Sequence, residues 1–259
     1  MNVLVFDIET IPDTEGARKI WDFGGLNDGE VALAMLTKRR QETKGASDFI
    51  RHHLQKVVAI SVAIRSHEKF LVWSLGDEAS SEADIIRRFF AGLDKYIPII
   101  ISWNGSGFDL PVLHYRAMLN KVVCSAYWED GTEEKSFRFD NYLSRYHRRH
   151  LDLMDVLAGY QPRAFVSLDE IASLMGFPGK AGISGSDVHS RYVSGDIAGI
   201  RNYCETDVLN TWLVYLRFEL MRGRIDSNKF EKEIGVTKLF LEGSEEDHFH
   251  DFLTKWDSV

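Results

Sequence analysis

Residues Val3-Leu4-Val5-Phe6 run straight into Asp7-Ile8-Glu9, and this junction constrains the fold most. Asn2–Phe6 is apolar and reads as a buried first strand. Strand side chains alternate faces, so Asp7 and Glu9 point to the same side at its end. Two like charges there raise each other's pKa, and each loses solvation. A divalent cation held by both would remove that penalty. The competing reading is a strand end frayed into solvent, which the apolar lead-in weakens.

The rest of the chain alternates strand-like and helix-like segments. Val57–Arg65 and Lys69–Leu75 predict a hairpin across Ser66-His67-Glu68. Pro98–Trp103 predicts another buried strand, and His150–Val156 a short strand that turns into a helix. Helices are predicted over Ser81–Tyr96, Asp109–Leu119 and, behind a Ser167/Glu170 capping box, to about Met175. Asp196–Leu220 is the strongest helix, capped by Asp196, with Ile197, Ile200, Leu209, Leu213 and Leu216 placed for burial. Asp13–Lys56 reads as a helical insertion or a loop, Ser125–Tyr146 as a surface loop or ribbon, and Phe177–Asp187 as a glycine-rich loop. No repeat or Pro-rich linker divides the chain. The expectation is one α/β domain over residues 1–224, with insertions at about 13–56 and 125–149. A helical tail, 225–259, packs on the same domain.

With 44% hydrophobic residues the chain can bury a sizeable core, and its net charge of −8 argues against holding nucleic acid by bulk electrostatics. A local grip on a few nucleotides remains compatible. The longest apolar stretch, Val57–Ile64, is too short to span a bilayer, and no basic leader precedes the first strand. Cys124 and Cys204 have no metal-ligand spacing and suit reduced thiols, so a cytoplasmic location and no membrane are expected.

Two further motifs carry acids. Trp103-Asn104-Gly105-Ser106-Gly107-Phe108-Asp109 follows a buried strand, at the sheet edge where open α/β proteins bind ligands. It fails as a dinucleotide fingerprint because Leu110 stands where a third glycine is needed, so no nicotinamide or flavin cofactor is expected. A plain helix cap by Asp109 is the alternative. Tyr203 and Asp207 are i and i+4 on the strongest helix, in an apolar seam where a carboxylate needs a partner. Arg201 could be that partner.

In this order the motifs resemble the DEDD 3′–5′ exonucleases, which place D-x-E on a first strand, N-x-x-x-F-D after a later strand, and Y-x-x-x-D on a late helix. Asn202 stands where a histidine subclass would have His, so the resemblance is to the tyrosine subclass. The stretches His150–Asp155 and Ser167–Leu174 also resemble predicted exonucleases related to the proofreading domain of family-B DNA polymerases.

The resemblance implies an RNase H-like α/β fold, with a mixed central sheet of about five strands flanked by helices. It also implies hydrolysis of phosphodiester bonds at the 3′ end of single-stranded DNA or RNA. Asp7, Glu9, Asp109 and Asp207 would hold two divalent cations, Asp7 bridging them, and Tyr203 would orient the attacking water. Hard oxygen ligands suit Mg²⁺ or Mn²⁺. Asn104 and Phe108 become substrate-binding candidates, although core packing is the heavier reading of Phe108.

Asp152 reads chiefly as a strand-end or capping acid. The clusters Lys38-Arg39-Arg40, Arg51-His52-His53 with Lys56, and Arg145–His150 are candidates for phosphates, with solvated faces the usual alternative. Trp103 and Trp128 are candidate stacking surfaces. A non-catalytic nucleic-acid-binding module and a small-nucleotide phosphodiesterase are the rival readings.

Overall fold

The structure, a computed structural model, describes residues 2–67, 69–180 and 185–258. Glu68 of the predicted hairpin turn and residues 181–184 of the glycine-rich segment lie outside the described residues. Five strands form one mixed sheet in the order β3-β2-β1-β4-β5. They are β1 (Val3–Pro12), β2 (Gln55–Ser66), β3 (Lys69–Ser74), β4 (Ile99–Ser102) and β5 (His150–Asp152). β2 is antiparallel to β1 and β3, whereas β4 runs parallel to β1 and β5 parallel to β4.

One expectation changes here. β1 does not end at Phe6 but continues to Pro12, because β2 pairs with it from Val3 opposite Arg65 to Pro12 opposite Gln55, with one register shift at Glu9/Thr10. Asp7 and Glu9 therefore project from a paired strand rather than from a fraying end.

The sequence between β1 and β2 is helical, with α1 (Thr14–Ile20) and α2 (Asp28–Glu42). α3 (Glu82–Tyr96) precedes β4, and α4 (Asp109–Leu119) follows it. Next come the short α5 (Ser125–Trp128), α6 (Leu153–Leu157) and α7 (Leu168–Leu174). The Ser167/Glu170 capping box at the start of α7 forms as predicted. α8 (Val188–Ser194) was not foreseen, and it ends at Gly195, whose φ of 82° is the left-handed value favoured at a helix terminus. α9 (Ile197–Met221), α10 (Ser227–Glu242) and α11 (Asp247–Asp257) complete the chain.

Alternation along β1 divides the molecule into two layers. Leu4, Phe6 and Ile8 pack with α3 and α4, while Val5 packs with α6, α7, α9 and the last two helices. Asp7 and Glu9 share the parity of Val5 and so face α9. α9 is buried nearly all round, as expected for a helix enclosed between a sheet and other helices.

Both insertions are anchored. Arg116 on α4 pairs with Asp13 and, at 2.6 Å, with Glu82, and all three side chains are buried. Ala17, Val31, Met35, Ile50 and Leu54 make a small core of their own. Residues 125–146 are not a free surface ribbon: Tyr127, Phe137 and Tyr142 are buried in the main core, and the Tyr142 hydroxyl donates to the Pro98 carbonyl at 2.6 Å. The burial of these aromatic rings outweighs the polarity around them. Among the described residues, no helix is long and apolar enough to cross a membrane, and Cys124 and Cys204 are free thiols.

Candidate active site

Three elements bring the predicted acids together. Asp7 and Glu9 come from β1, Asp109 from the first turn of α4 and Asp207 from α9. The turn into α4 depends on glycine, since a Cβ on Gly105 would collide with the Ser102 side chain and one on Gly107 with that of Asn104. Asn104 itself adopts φ 64°, and its carbonyl accepts from the amides of Gly107 and Phe108. Asp152 braces the same turn: its carboxylate accepts from Asn104 N at 3.0 Å and Ser106 N at 2.8 Å while also capping α6. This is the strand-end and capping role predicted for it.

Asp109 does not act as a helix cap. Its Oδ1 accepts from the backbone amide of Ile8 at 3.2 Å, which ties α4 to β1 between Asp7 and Glu9. Arg201 does not neutralise Asp207 either, because its guanidinium donates to the carbonyls of Ser74, Leu75 and Gly76. Oδ1 of Asp207 is buried with no hydrogen-bond partner among the described residues.

The electrostatics follow from this crowding. Burial, then repulsion from Asp109, Glu9 and Asp207, raises Asp7 well above the carboxylate range. Glu9 is raised by burial and by Asp207 and Asp109. Burial lifts Asp109 to about 7, with Asp152 adding repulsion, and Asp207 to about 6. The Tyr203 hydroxyl and Lys180 pull Asp207 the other way. Tyr203 is buried, and burial beside Asp207 and Glu9 holds its hydroxyl protonated.

Sequence reasoning missed two neighbours. The Lys180 ammonium lies 5.6 Å from the Tyr203 ring centre, and its charge lowers the pKa of both Glu9 and Asp207. Its backbone is fixed: Lys180 N donates to Asp169 at 2.6 Å, and Gly179 exchanges two hydrogen bonds with the Asn210 amide. No local pattern in the sequence marks this, because the clamp joins α7 and α9. Cys204 is the second neighbour; its Sγ lies 3.4 Å from the Asp7 carbonyl oxygen and 3.6 Å from Oδ2.

Ligand atoms of Asp7, Glu9 and Cys204 all fall within 4.8 Å of one another. Burial and the nearby acids push the Cys204 thiol well up, so it stays protonated and donates to Asp7. The donor set left for a cation is therefore carboxylate oxygen. Asp109 and Asp207 fall outside that 4.8 Å group, but the chemistry of the donors, with the unpartnered Asp207 oxygen beside them, fits a hard divalent ion.

Phe108 is half-buried, 5.3 Å from the Phe49 ring and 5.8 Å from that of His52, both from the first insertion. Trp103 packs into the apolar layer beneath α9, whereas Trp128 is 56% exposed. Arg39, Arg40 and Arg51 are consumed in ion pairs with Glu42 and Asp48.

Residues 47–256 match the model of a family described as predicted 3′–5′ exonucleases related to the exonuclease domain of PolB. No curated protein matches the chain. Among solved structures, it is similar to the family B DNA polymerase from the hyperthermophilic archaeon Pyrobaculum calidifontis, with a TM-score of 0.51 and 19% identity. That match covers 85% of this chain and 24% of the polymerase chain, so the protein spans about a quarter of that enzyme's length. At this identity the likeness concerns the fold, an RNase H-like α/β sheet flanked by helices. On the strength of the family match over most of its length, the chain belongs to the predicted 3′–5′ exonucleases related to the exonuclease domain of PolB.

Proposed function

We propose that this protein is a metal-dependent nuclease that removes nucleotides from the 3′ end of single-stranded DNA. The observation that carries the reading is the convergence of four acids whose protons are all held more tightly than usual. Mutual repulsion of this kind destabilises a fold unless a cation is to be bound there. Asp7, Glu9, Asp109 and Asp207 are the residues that would hold two ions, with Asp7 shared. Two Mg²⁺ or Mn²⁺ ions supply an acidified water and stabilise charge building on the phosphoryl and leaving oxygens.

The chain's own groups do the positioning. The Tyr203 hydroxyl, protonated and beside Asp207, can donate to or orient the attacking water but cannot act as its base. Lys180 supplies a positive charge next to Glu9 and Asp207. Asn104 and Phe108, on the turn that carries Asp109, are the residues that would meet the terminal nucleotide in this reading. Residues 1–224 form the catalytic unit in this reading, residues 225–259 close the core behind α9, and the protein works in the cytoplasm.

A time course on 5′-labelled single-stranded DNA and matched RNA, with and without Mg²⁺ or Mn²⁺, tests it. The expected result is a ladder that shortens from the 3′ end only with metal, and faster on DNA. Intact oligomers in the presence of either ion would sink the reading. Hydrolysis of a nitrophenyl nucleotide ester alone would point to a small-nucleotide phosphodiesterase instead.

A further inference from the structure

Cys204 gives the acid site a donor that hard-metal chemistry does not need. It precedes Asp207 by three residues on α9, so the two share the helix face turned toward β1. The thiol is fully buried and Glu9 nearly so, while Asp7 stays partly open to solvent and leaves a way in. Cys204 Sγ approaches Asp7 Oδ2 to 3.6 Å. An oxygen of Glu9 completes a group whose atoms all lie within 4.8 Å of one another.

Two features set this group apart from a thiol packed in a core. The first is spacing. Zinc holds thiolate sulfur at about 2.3 Å and carboxylate oxygen at about 2.1 Å, so at the tetrahedral angle the two donors stand about 3.6 Å apart. Sγ and Oδ2 already stand at that separation. The second is Asp207, 8% exposed, whose Oδ1 has no hydrogen-bond partner among the described residues. Its charge acts on both Asp7 and Glu9. A buried carboxylate oxygen left unmet beside the group calls for a cation. Hard and soft cations would meet these donors differently. Mg²⁺ takes oxygen and leaves the thiol proton in place, whereas a thiophilic ion displaces that proton to solvent and takes the sulfur.

We propose that Cys204, Asp7 and Glu9 form a mixed sulfur–oxygen site for a thiophilic divalent cation of the Zn²⁺ class, and that its occupation excludes the paired hard ions. Three protein donors leave a fourth tetrahedral position for water. The exclusion rests on the nuclease reading, in which two hard ions share Asp7. The sulfur–oxygen site itself does not.

Cys124 and Cys204 are the chain's two thiols, so in Cys124→Ser protein a thiolate-to-metal charge-transfer band can come only from Cys204. Titrating that protein, metal-free, with Cd²⁺ as a spectroscopic probe should raise the band in the ultraviolet, and Zn²⁺ should erase it by competition. Adding Cys204→Ser should remove the band. Cd²⁺ affinity, followed by calorimetry, should then fall by more than the roughly 10–100-fold that losing an outer partner of a ligand costs. Asp7→Asn, which keeps the sulfur, should weaken the affinity read from the band at least about tenfold. In the nuclease assay with Mn²⁺, Zn²⁺ should arrest hydrolysis, and Cys204→Ser should raise the Zn²⁺ concentration for half-inhibition by about tenfold or more.

No band in the Cys124→Ser protein would overturn the site, and this outcome stands whether or not Cys204→Ser folds. So would a band that Asp7→Asn leaves unchanged, since the sulfur would then bind metal without the acid. Equal inhibition by Zn²⁺ of the wild type and Cys204→Ser would overturn the exclusion. A full band in a protein that cuts nothing with Mg²⁺ or Mn²⁺ would uphold the sulfur–oxygen site and sink the nuclease reading. Cutting with either ion by a protein that gives no band would do the reverse.

Discussion

The backbone amide of Ile8 donates to Oδ1 of Asp109 at 3.2 Å, across 101 positions of sequence. β4 pairs with β1 only as far as Val5, opposite Ile101. Beyond that point the edge of β1 lacks a strand partner, and the Asp109 carboxylate takes a backbone donor that β4 leaves behind. One oxygen thus completes the sheet while the carboxyl group as a whole stands among the other acids. Asp109 is a structural and a chemical residue at once.

Substitution at Asp109 separates the two roles. Asp109→Asn keeps an acceptor for the Ile8 amide, whereas Asp109→Ala leaves that donor unmet. Urea denaturation in EDTA should place the alanine variant below the asparagine variant by about 1–3 kcal/mol, the cost of an unsatisfied buried donor. Both should lose hydrolysis. Equal stabilities would mean that the Ile8 contact contributes nothing.

Asp7→Asn should abolish hydrolysis, by roughly a thousandfold or more if it removes the shared metal ligand. It also removes one of the mutually repelling charges around Glu9, Asp109 and Asp207. Metal-free protein carrying the substitution should therefore melt at the same temperature as the wild type or higher. Substantial residual activity would rule out the bridging role of Asp7.

Much of this architecture was legible because short-range patterns carry it. The hairpin, the Ser167/Glu170 box, the Asp196 cap and the α9 burial pattern all follow from local spacing. What stayed hidden depends on partners far away in sequence. β1 extends past Phe6 only because β2 continues alongside it. Lys180 reaches the site only because Asp169 and Asn210 clamp its backbone. The 125–146 segment reads as polar, yet Tyr127, Phe137 and Tyr142 decide its path. The basic runs at 38–40 and 51–53 look like phosphate grips until Glu42 and Asp48 are seen to take their arginines.

The C-terminal helices are fastened by a buried ion pair. Arg65 Nε on β2 meets Glu233 of α10 at 2.7 Å, with only 11% and 6% of their side chains exposed. Burial alone would raise Glu233, but hydrogen bonds from Arg65 and Lys229 hold it below its usual range. Glu233→Ala leaves the Arg65 charge uncompensated and should cost about 3–5 kcal/mol in chemical denaturation. A double Arg65→Met, Glu233→Leu variant should recover most of the loss, because neither charge then remains buried. A single variant within 1 kcal/mol of the wild type, about the worth of a surface pair, would show that the contact is not held in solution.

The metal-free protein should lose stability as pH rises from 6.5 to 8. Asp109 is held at about 7, and Asp7 and Glu9 lie well above the ~4 of an unfolded acid. Across this window the folded state binds more protons than the unfolded chain, so stability falls as pH climbs through the folded-state values. His114 and His150, pushed down to about 4, act in the opposite sense, and their contribution dies out about one unit above the unfolded histidine value near ~6.5, so the decline is steepest toward pH 8. Thermal melts in EDTA at steps across the window should therefore show a falling Tm. Saturating Mg²⁺ or Mn²⁺ should raise every point by mass action and flatten the decline, because a bound cation replaces the protons. A flat profile in EDTA, or melts that metal leaves unmoved, would mean that the carboxylates do not repel one another in solution as their placement requires.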